Sequence, residues 1–157
     1  MIPNWVRDTR SDRLTGAVRL ILGVLFVMTG VMKLVVPMLA DAWSGQLLAA
    51  NLPFYTLTRW TVPFVEIALG GMLLAGLFAR LASVAVIGIM AAATYTHLVV
   101  DDQALFPLQP REPIIPIVVI AMSVLVLWKG AGAWSVDLKA AKECSSPEGR
   151  ADPGVRT

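Results

Sequence analysis

Four apolar runs of membrane-spanning length punctuate this chain, and no other feature limits its fold so strongly. The first reads "AVRLILGVLFVMTGVMKLVVP", Ala17 to Pro37, and the second runs roughly from Thr61 to Ala79. The third is "LASVAVIGIMAAATYTHLVV", Leu81 to Val100, and the fourth "PIIPIVVIAMSVLVLW", Pro113 to Trp128, opens on helix-starting prolines. A hydrocarbon core ~30 Å thick needs about 20 helical residues, so each run fits, the last being slightly short. Lone strands would leave backbone groups unpaired in lipid, which makes helices the choice. With 57% hydrophobic and only 15% charged residues, the 157-residue chain reads as one small all-α membrane protein. The expected fold is a four-helix transmembrane bundle.

Several function classes fall away. A net charge of +2 is too small and too scattered for nucleic acid to be a partner. The lone Cys144 rules out an internal disulfide, a CxxC dithiol and a haem-attachment CxxCH. The lone His97 rules out a bis-histidine haem or a multi-histidine metal site within one chain, so no metal and no covalent cofactor is expected.

Counting Lys and Arg orients the spans. Arg7, Arg10, Arg13, Arg19, Arg80, Lys129, Lys139, Lys142, Arg150 and Arg156 collect on one side, against Arg59 and Arg111 on the other. Both termini are therefore expected in the cytoplasm. Trp43 and Trp60 suit the outer interface, and Trp5, Trp128 and Trp134 the inner one. A cleaved signal peptide is the rejected alternative, because Lys33 and Pro37 interrupt the would-be cleavage region. Residues 1–16 form a cytoplasmic lead, 17–138 the membrane domain, and 139–157 a tail whose end, "SSPEGRADPGVRT", has a disordered composition. The first connection, "DAWSGQLLAANLPFYTLTRW", is amphipathic enough to lie in the outer interface as a short helix and turn. A tight hinge near Arg80 joins the next two spans, and the link from Asp101 to Glu112 is short and acidic. "SVDLKAAKE" can form an interfacial helix capped by Ser135.

Within the second span Glu66 is the only charge, and a carboxylate there costs at least a few kcal/mol on insertion scales. Helical rise of ~1.5 Å per residue puts Lys33 roughly 25 Å, Glu66 roughly 21 Å and His97 roughly 25 Å above the cytoplasmic boundary. Three ionisable residues from three helices thus share one layer in the outer leaflet. Their faces agree: Gly16, Arg19, Gly23, Gly30 and Lys33 share a stripe, as do Pro63, Glu66 and Gly70, and Met90, Ala93, Thr94, His97 and Asp101. The small residues on these stripes allow close helix approach. Glu66 is expected to meet Lys33, with His97 nearby.

Two readings of that meeting stand. In one, a buried ion pair fixes which helices pack together. In the other, the layer binds a headgroup or moves protons, a Glu–His pair being able to relay them. Tyr95 and Phe64 could stack on a planar ligand, although aromatics in a span commonly just pack. Arg19 and Arg80 read as orientation signals with lipid-phosphate contacts. Met28, Met32, Met72, Met90 and Met122 read as core filler. "GAGAW", Gly130 to Trp134, lacks the strand and third glycine of a nucleotide loop.

The ordered set of "RLILGVLFVMTGVMKL", "PFVEIALGGMLLAGLFARLAS", "MAAATYTHL" and a closing "GAWSVD" resembles the DoxX family of small four-helix bacterial membrane proteins. Arg19, Gly23, Gly30, Lys33, Glu66, Gly70, Gly71, Gly76, Arg80 and His97 fall on its recurring positions, over about residues 17 to 138. The resemblance implies an inner-membrane bundle. The family takes its name from a subunit associated with terminal quinol oxidase, and a related branch passes electrons from thiosulfate to quinone.

The function expected on this basis is a subunit of, or accessory to, a quinone-linked membrane oxidoreductase. Lys33 or His97 would hydrogen-bond a quinone carbonyl, Glu66 and His97 would handle protons, and Tyr95 would flank the ring. Any electrons would pass through a bound quinone or a partner subunit, and the partners expected are the lipid bilayer and either a redox subunit or further copies in a homo-oligomer. The alternative is a non-enzymatic membrane scaffold or assembly factor. A third, a proton-coupled small-solute transporter, has little room in four helices and no inverted repeat behind it.

Overall fold

The computed structural model describes residues 12–107, 109–110 and 112–139, all of whose regular structure is helical. Expectations for Trp5, Arg7, Arg10, Arg111, Lys142, Cys144 and the rest of the tail lie outside the described residues. Three helices are long and apolar enough to cross a membrane, with a shorter apolar helix after them.

Helix α1, Arg13–Val35, starts where Asp12 accepts from the Leu14 amide at 3.1 Å and the Thr15 hydroxyl at 2.8 Å. It stops at Val36 because Pro37 offers no amide proton and pushes the residue before it out of helical geometry. The same proline opens α2, Pro37–Ala49, as first-turn prolines do. Helix α3, Tyr55–Ala75, begins six residues before the span read from hydropathy. The polar "YTLTR" stretch continues the helix outside the apolar run, so hydropathy marks the span and not the helix.

Pro63 lies inside α3 and cannot donate to the Arg59 carbonyl four residues back. The Trp43 indole N–H, from α2, donates to that oxygen at 3.2 Å. Helix α3 ends on Gly76, left-handed at φ 65°, where Gly76 N donates to Leu73 O and Leu77 N to Met72 O. After only Leu77 and Phe78, α4, Ala79–Val99, begins. A 3-10 turn, Gln103–Leu105, and α5, Ile114–Lys129, follow. Residues 136–139 are helical again, and the Ser135 hydroxyl accepts from the Leu138 amide at 3.1 Å, the expected cap.

The large interfaces join α1 to α3 and α4 to α5, with smaller ones between α1 and α5 and between α3 and α4. Leu22, Phe26, Leu73, Ala82, Val86, Val119 and Val126 form the shared core. A second cluster, Ala50, Val100 and Phe106, ties the connections together at the end that carries α2. The outward faces are apolar too: Ile21 and Ile117 are each 52% exposed, an arrangement suited to lipid rather than water.

Candidate functional site

Small residues bring the charged ones together. A Cβ on Gly70 would stand 2.7 Å from the Val27 amide nitrogen and 2.8 Å from the Gly23 oxygen, so α1 and α3 touch backbone to backbone. Gly30 does the same nearer α2, where a Cβ would meet the Pro63 oxygen at 2.7 Å. One turn on, Lys33 Nζ reaches Glu66 Oε1 at 2.6 Å. Glu66 is 1% exposed, and its Oε2 is buried with no hydrogen-bond partner. Lys33 Nζ also sits 4.5 Å from the Trp43 ring centroid. The pairing expected from helical depth is present.

Beside the pair is a cavity of about 370 Å³, bordered by Lys33, Glu66 and His97 together. Its walls are Leu25, Phe26 and Thr29 of α1, Val62 of α3, Ile89, Met90, Ala93 and Thr96 of α4, and Pro116 and Val119 of α5. Trp43 and Gln46 of α2 close it at one end, with Phe106 and Gln109 of the α4–α5 link. Gln46 donates to the Leu105 carbonyl, which pins α2 to that link. Gly88, Ala92 and Ile115 are exposed members of the lining, so the cavity reaches the flank of the helices.

His97 stacks on Phe106 with ring centroids 4.1 Å apart, and its Nε2 lies 3.0 Å from Gln109 Oε1. It therefore borders the cavity while joined to the link. Tyr95 stands apart: it is 50% exposed and does not border the cavity, and Phe64 is 58% exposed. On α4 the lining takes Met90, Ala93 and His97 as expected, with Thr96 in place of Thr94, while Asp101 is exposed beyond the helix end. Trp43, Gln46, Phe106 and Gln109 were not foreseen, because they come from connections whose folding back has no periodic signature.

Arg19 is a correction. It was read as a lipid-phosphate contact, yet it is fully buried. Its Nε donates to Ala131 O at 2.8 Å, its Nη1 to Leu73 O and to Leu74 O (2.8 Å), and its Nη2 to Ala133 O (3.3 Å) and Trp134 O (3.2 Å). Two of these carbonyls belong to the last turn of α3, which carries the negative end of the helix dipole; Leu73 O also accepts from the Gly76 amide. Arg80, by contrast, donates to the Trp128 carbonyl at 3.3 Å. Asp137, 2% exposed, accepts from the Phe78 and Ala79 amides, both at 3.1 Å, and so caps α4 from far along the chain. "GAGAWSVD" is thus a structural clasp, with its carbonyls on Arg19 and its carboxylate on α4.

No curated protein and no solved structure matches the chain. The family profile that does match covers residues 14–98, from the first turn of α1 to just past His97, and its description is DoxX. With more than half of the chain matched and its long helices apolar enough to span a bilayer, this is a membrane protein of the DoxX family.

Proposed function

We propose that this chain is a four-helix bundle of the bacterial inner membrane, with both termini cytoplasmic, whose cavity receives the head of a quinone. In this reading it works as a subunit of, or accessory to, a quinone-linked oxidoreductase. The supporting observation is that Lys33, Glu66 and His97 together line an otherwise largely apolar cavity, with Glu66 buried and its Oε2 without a hydrogen-bond partner. Native proteins leave few such atoms, and one beside a cavity invites a ligand.

The residues fit that group. A quinone supplies two-electron redox chemistry with proton uptake. Lys33 presents an ammonium with protons beyond the one shared with Glu66, enough to donate to a ring oxygen. Glu66 offers an acceptor, and its exchange of a proton would be balanced by Lys33 at 2.6 Å. His97, between cavity and link, can carry a proton between the two. Trp43 and Phe106 supply aromatic walls, the place first assigned to Tyr95. Those walls and the capping connections exclude water.

The test is purification in native lipid followed by mass spectrometry of bound small molecules, with membrane quinol turnover compared in the deletion strain. Retained quinone and altered turnover are expected. Absence of both overturns the reading.

A scaffold reading draws on the Lys33–Glu66 pair as a tie between α1 and α3. It predicts that Glu66→Gln lowers abundance, whereas the redox reading predicts normal abundance with lost turnover.

A further inference from the structure

We propose that a small pocket between α1, α2 and α3, with Arg59 on its wall, holds the phosphodiester of an anionic phospholipid. This goes beyond the quinone reading and does not depend on it.

The pocket, about 60 Å³, is bordered by Lys33 and Leu34 of α1, Trp43 of α2, and Arg59 and Trp60 of α3. That volume is roughly two waters' share of the liquid, room for a compact polar group and not for a ring. The Trp43 indole, donating to the Arg59 carbonyl at 3.2 Å, holds α2 against α3 and so fixes the pocket's shape.

Both charged residues on its wall are cations, and no carboxylate lines it. Lys33 is balanced by Glu66 at 2.6 Å. Arg59 has no such balance: among the described residues, no carboxylate lies within ion-pair distance of it. Its Nη1 lies 3.5 Å from the Tyr55 hydroxyl, and its Cζ 5.7 Å from the Trp60 ring centroid. Because Trp60 also borders the pocket, the guanidinium stands at the pocket's edge. Most of its N–H donors are left for a ligand, and their planar fork matches the oxygens of a phosphate.

Depth and surroundings point to a lipid as the source of that phosphate. Arg59 and Trp60 come just before the apolar run that begins at Thr61, at the water–lipid boundary where headgroup phosphates lie and tryptophan settles. One turn deeper, Phe64 on the Trp60 face of α3 is 58% exposed and Val31 on the Leu34 face of α1 is 40% exposed. They give an acyl chain an apolar strip below the pocket, which a free ion would not use. A headgroup ammonium would meet two cations and no acid on the wall, so a lipid of net negative charge is favoured over a zwitterionic one.

The experiment is native mass spectrometry of the purified full chain in detergent, titrated with phosphatidylglycerol or phosphatidylcholine, and with inorganic phosphate as competitor. Wild type should bind phosphatidylglycerol about fivefold more tightly than phosphatidylcholine, the effect of one basic residue at a membrane surface. Arg59→Gln should bring that ratio to about twofold or less. Arg13→Gln, which removes an exposed cation at the far end of α1, should leave it unchanged. Should Arg59→Gln fail to fold, phosphatidylglycerol with a photoreactive headgroup, added to wild type, should label the first turns of α3 or the last turn of α1. Equal binding of the two lipids, an equal effect of Arg13→Gln, or labelling confined to other helices overturns the proposal. Displacement of the lipid by an equal concentration of inorganic phosphate would assign the pocket to a free anion and overturn it as well.

Discussion

Trp43 and Pro63 share one carbonyl: the hydrogen bond that Pro63 cannot give Arg59 O comes from the Trp43 indole, 3.2 Å away. A proline inside a helix leaves the carbonyl four residues back without its helical donor, here in the polar stretch that precedes the apolar run. Here the substitute arrives from α2, so the kink-prone point of α3 and the closure of the cavity depend on one side chain.

Replacing Trp43 by Phe should therefore destabilise the protein by about 0.5–1.5 kcal/mol, the net worth of a part-buried hydrogen bond. In a Pro63→Ala background, where the helix supplies its own amide, the same replacement should cost less. Unfolding in detergent micelles across the four-member cycle measures the coupling, and equal costs in both backgrounds would remove this explanation.

Adjacent glycines on α3 should respond with opposite sign. Gly70→Ala forces a methyl against the Val27 amide and the Gly23 carbonyl, and overpacking of this kind costs about 1–3 kcal/mol. A Cβ on Gly71 meets nothing within 4 Å, so Gly71→Ala should be neutral or stabilise the helix by up to about 1 kcal/mol. Melting midpoints of the two variants, side by side, check the contrast.

Arg19→Lys should be severe despite keeping the charge. A lysine has three donors on a single nitrogen and cannot reach carbonyls distributed around a planar fork. Loss of even two charge-assisted bonds amounts to about 3 kcal/mol or more. The expected result is poor accumulation in the membrane and a lowered unfolding midpoint, with Arg19→Met worse.

Acid should loosen the start of α1. Asp12 has its pKa lowered, first by the Thr15 hydroxyl and then by the hydrogen bond from Lys129, whose Nζ lies 3.1 Å away. A carboxylate depressed in the folded state adds stability above its unfolded pKa, and that contribution disappears as pH falls through the folded value. The loss should thus begin near the ordinary aspartate range and be complete below it. Unfolding midpoints from pH 7 downward should show this acid limb, and Asp12→Asn should flatten it.

How much of this was legible in the sequence differs from residue to residue. Lys33 and Glu66 could be matched because regular helices convert residue number into height and face, and both lie in uninterrupted runs. The glycine stripes were legible for the same reason. Arg19 was misread because its partners are peptide carbonyls, which every residue has and none advertises. The clue was the "GAWSVD" segment, whose Asp137 caps a helix 58 residues away from it in the chain, at Ala79. His97 was placed at the right height, but its partners Phe106 and Gln109 come from a link whose path no periodicity fixes. Tyr95 was chosen for chemistry alone, and its side of α4 faces outward.

The Arg19 clasp also sets an order of events during synthesis. The ribosome makes Leu73 and Leu74 long before Ala131, Ala133 and Trp134, so a nascent chain holds a guanidinium in the membrane region with most of its acceptors still unmade. Helices α1 and α3 can insert and pair early, yet that charge is fully housed only when the last apolar helix has been translated and the segment behind it has folded back. A chain cut short after α4 would expose the fault to whatever surveys unfinished membrane proteins, so that completion of the polypeptide and closure of its first helix pair become a single checkpoint.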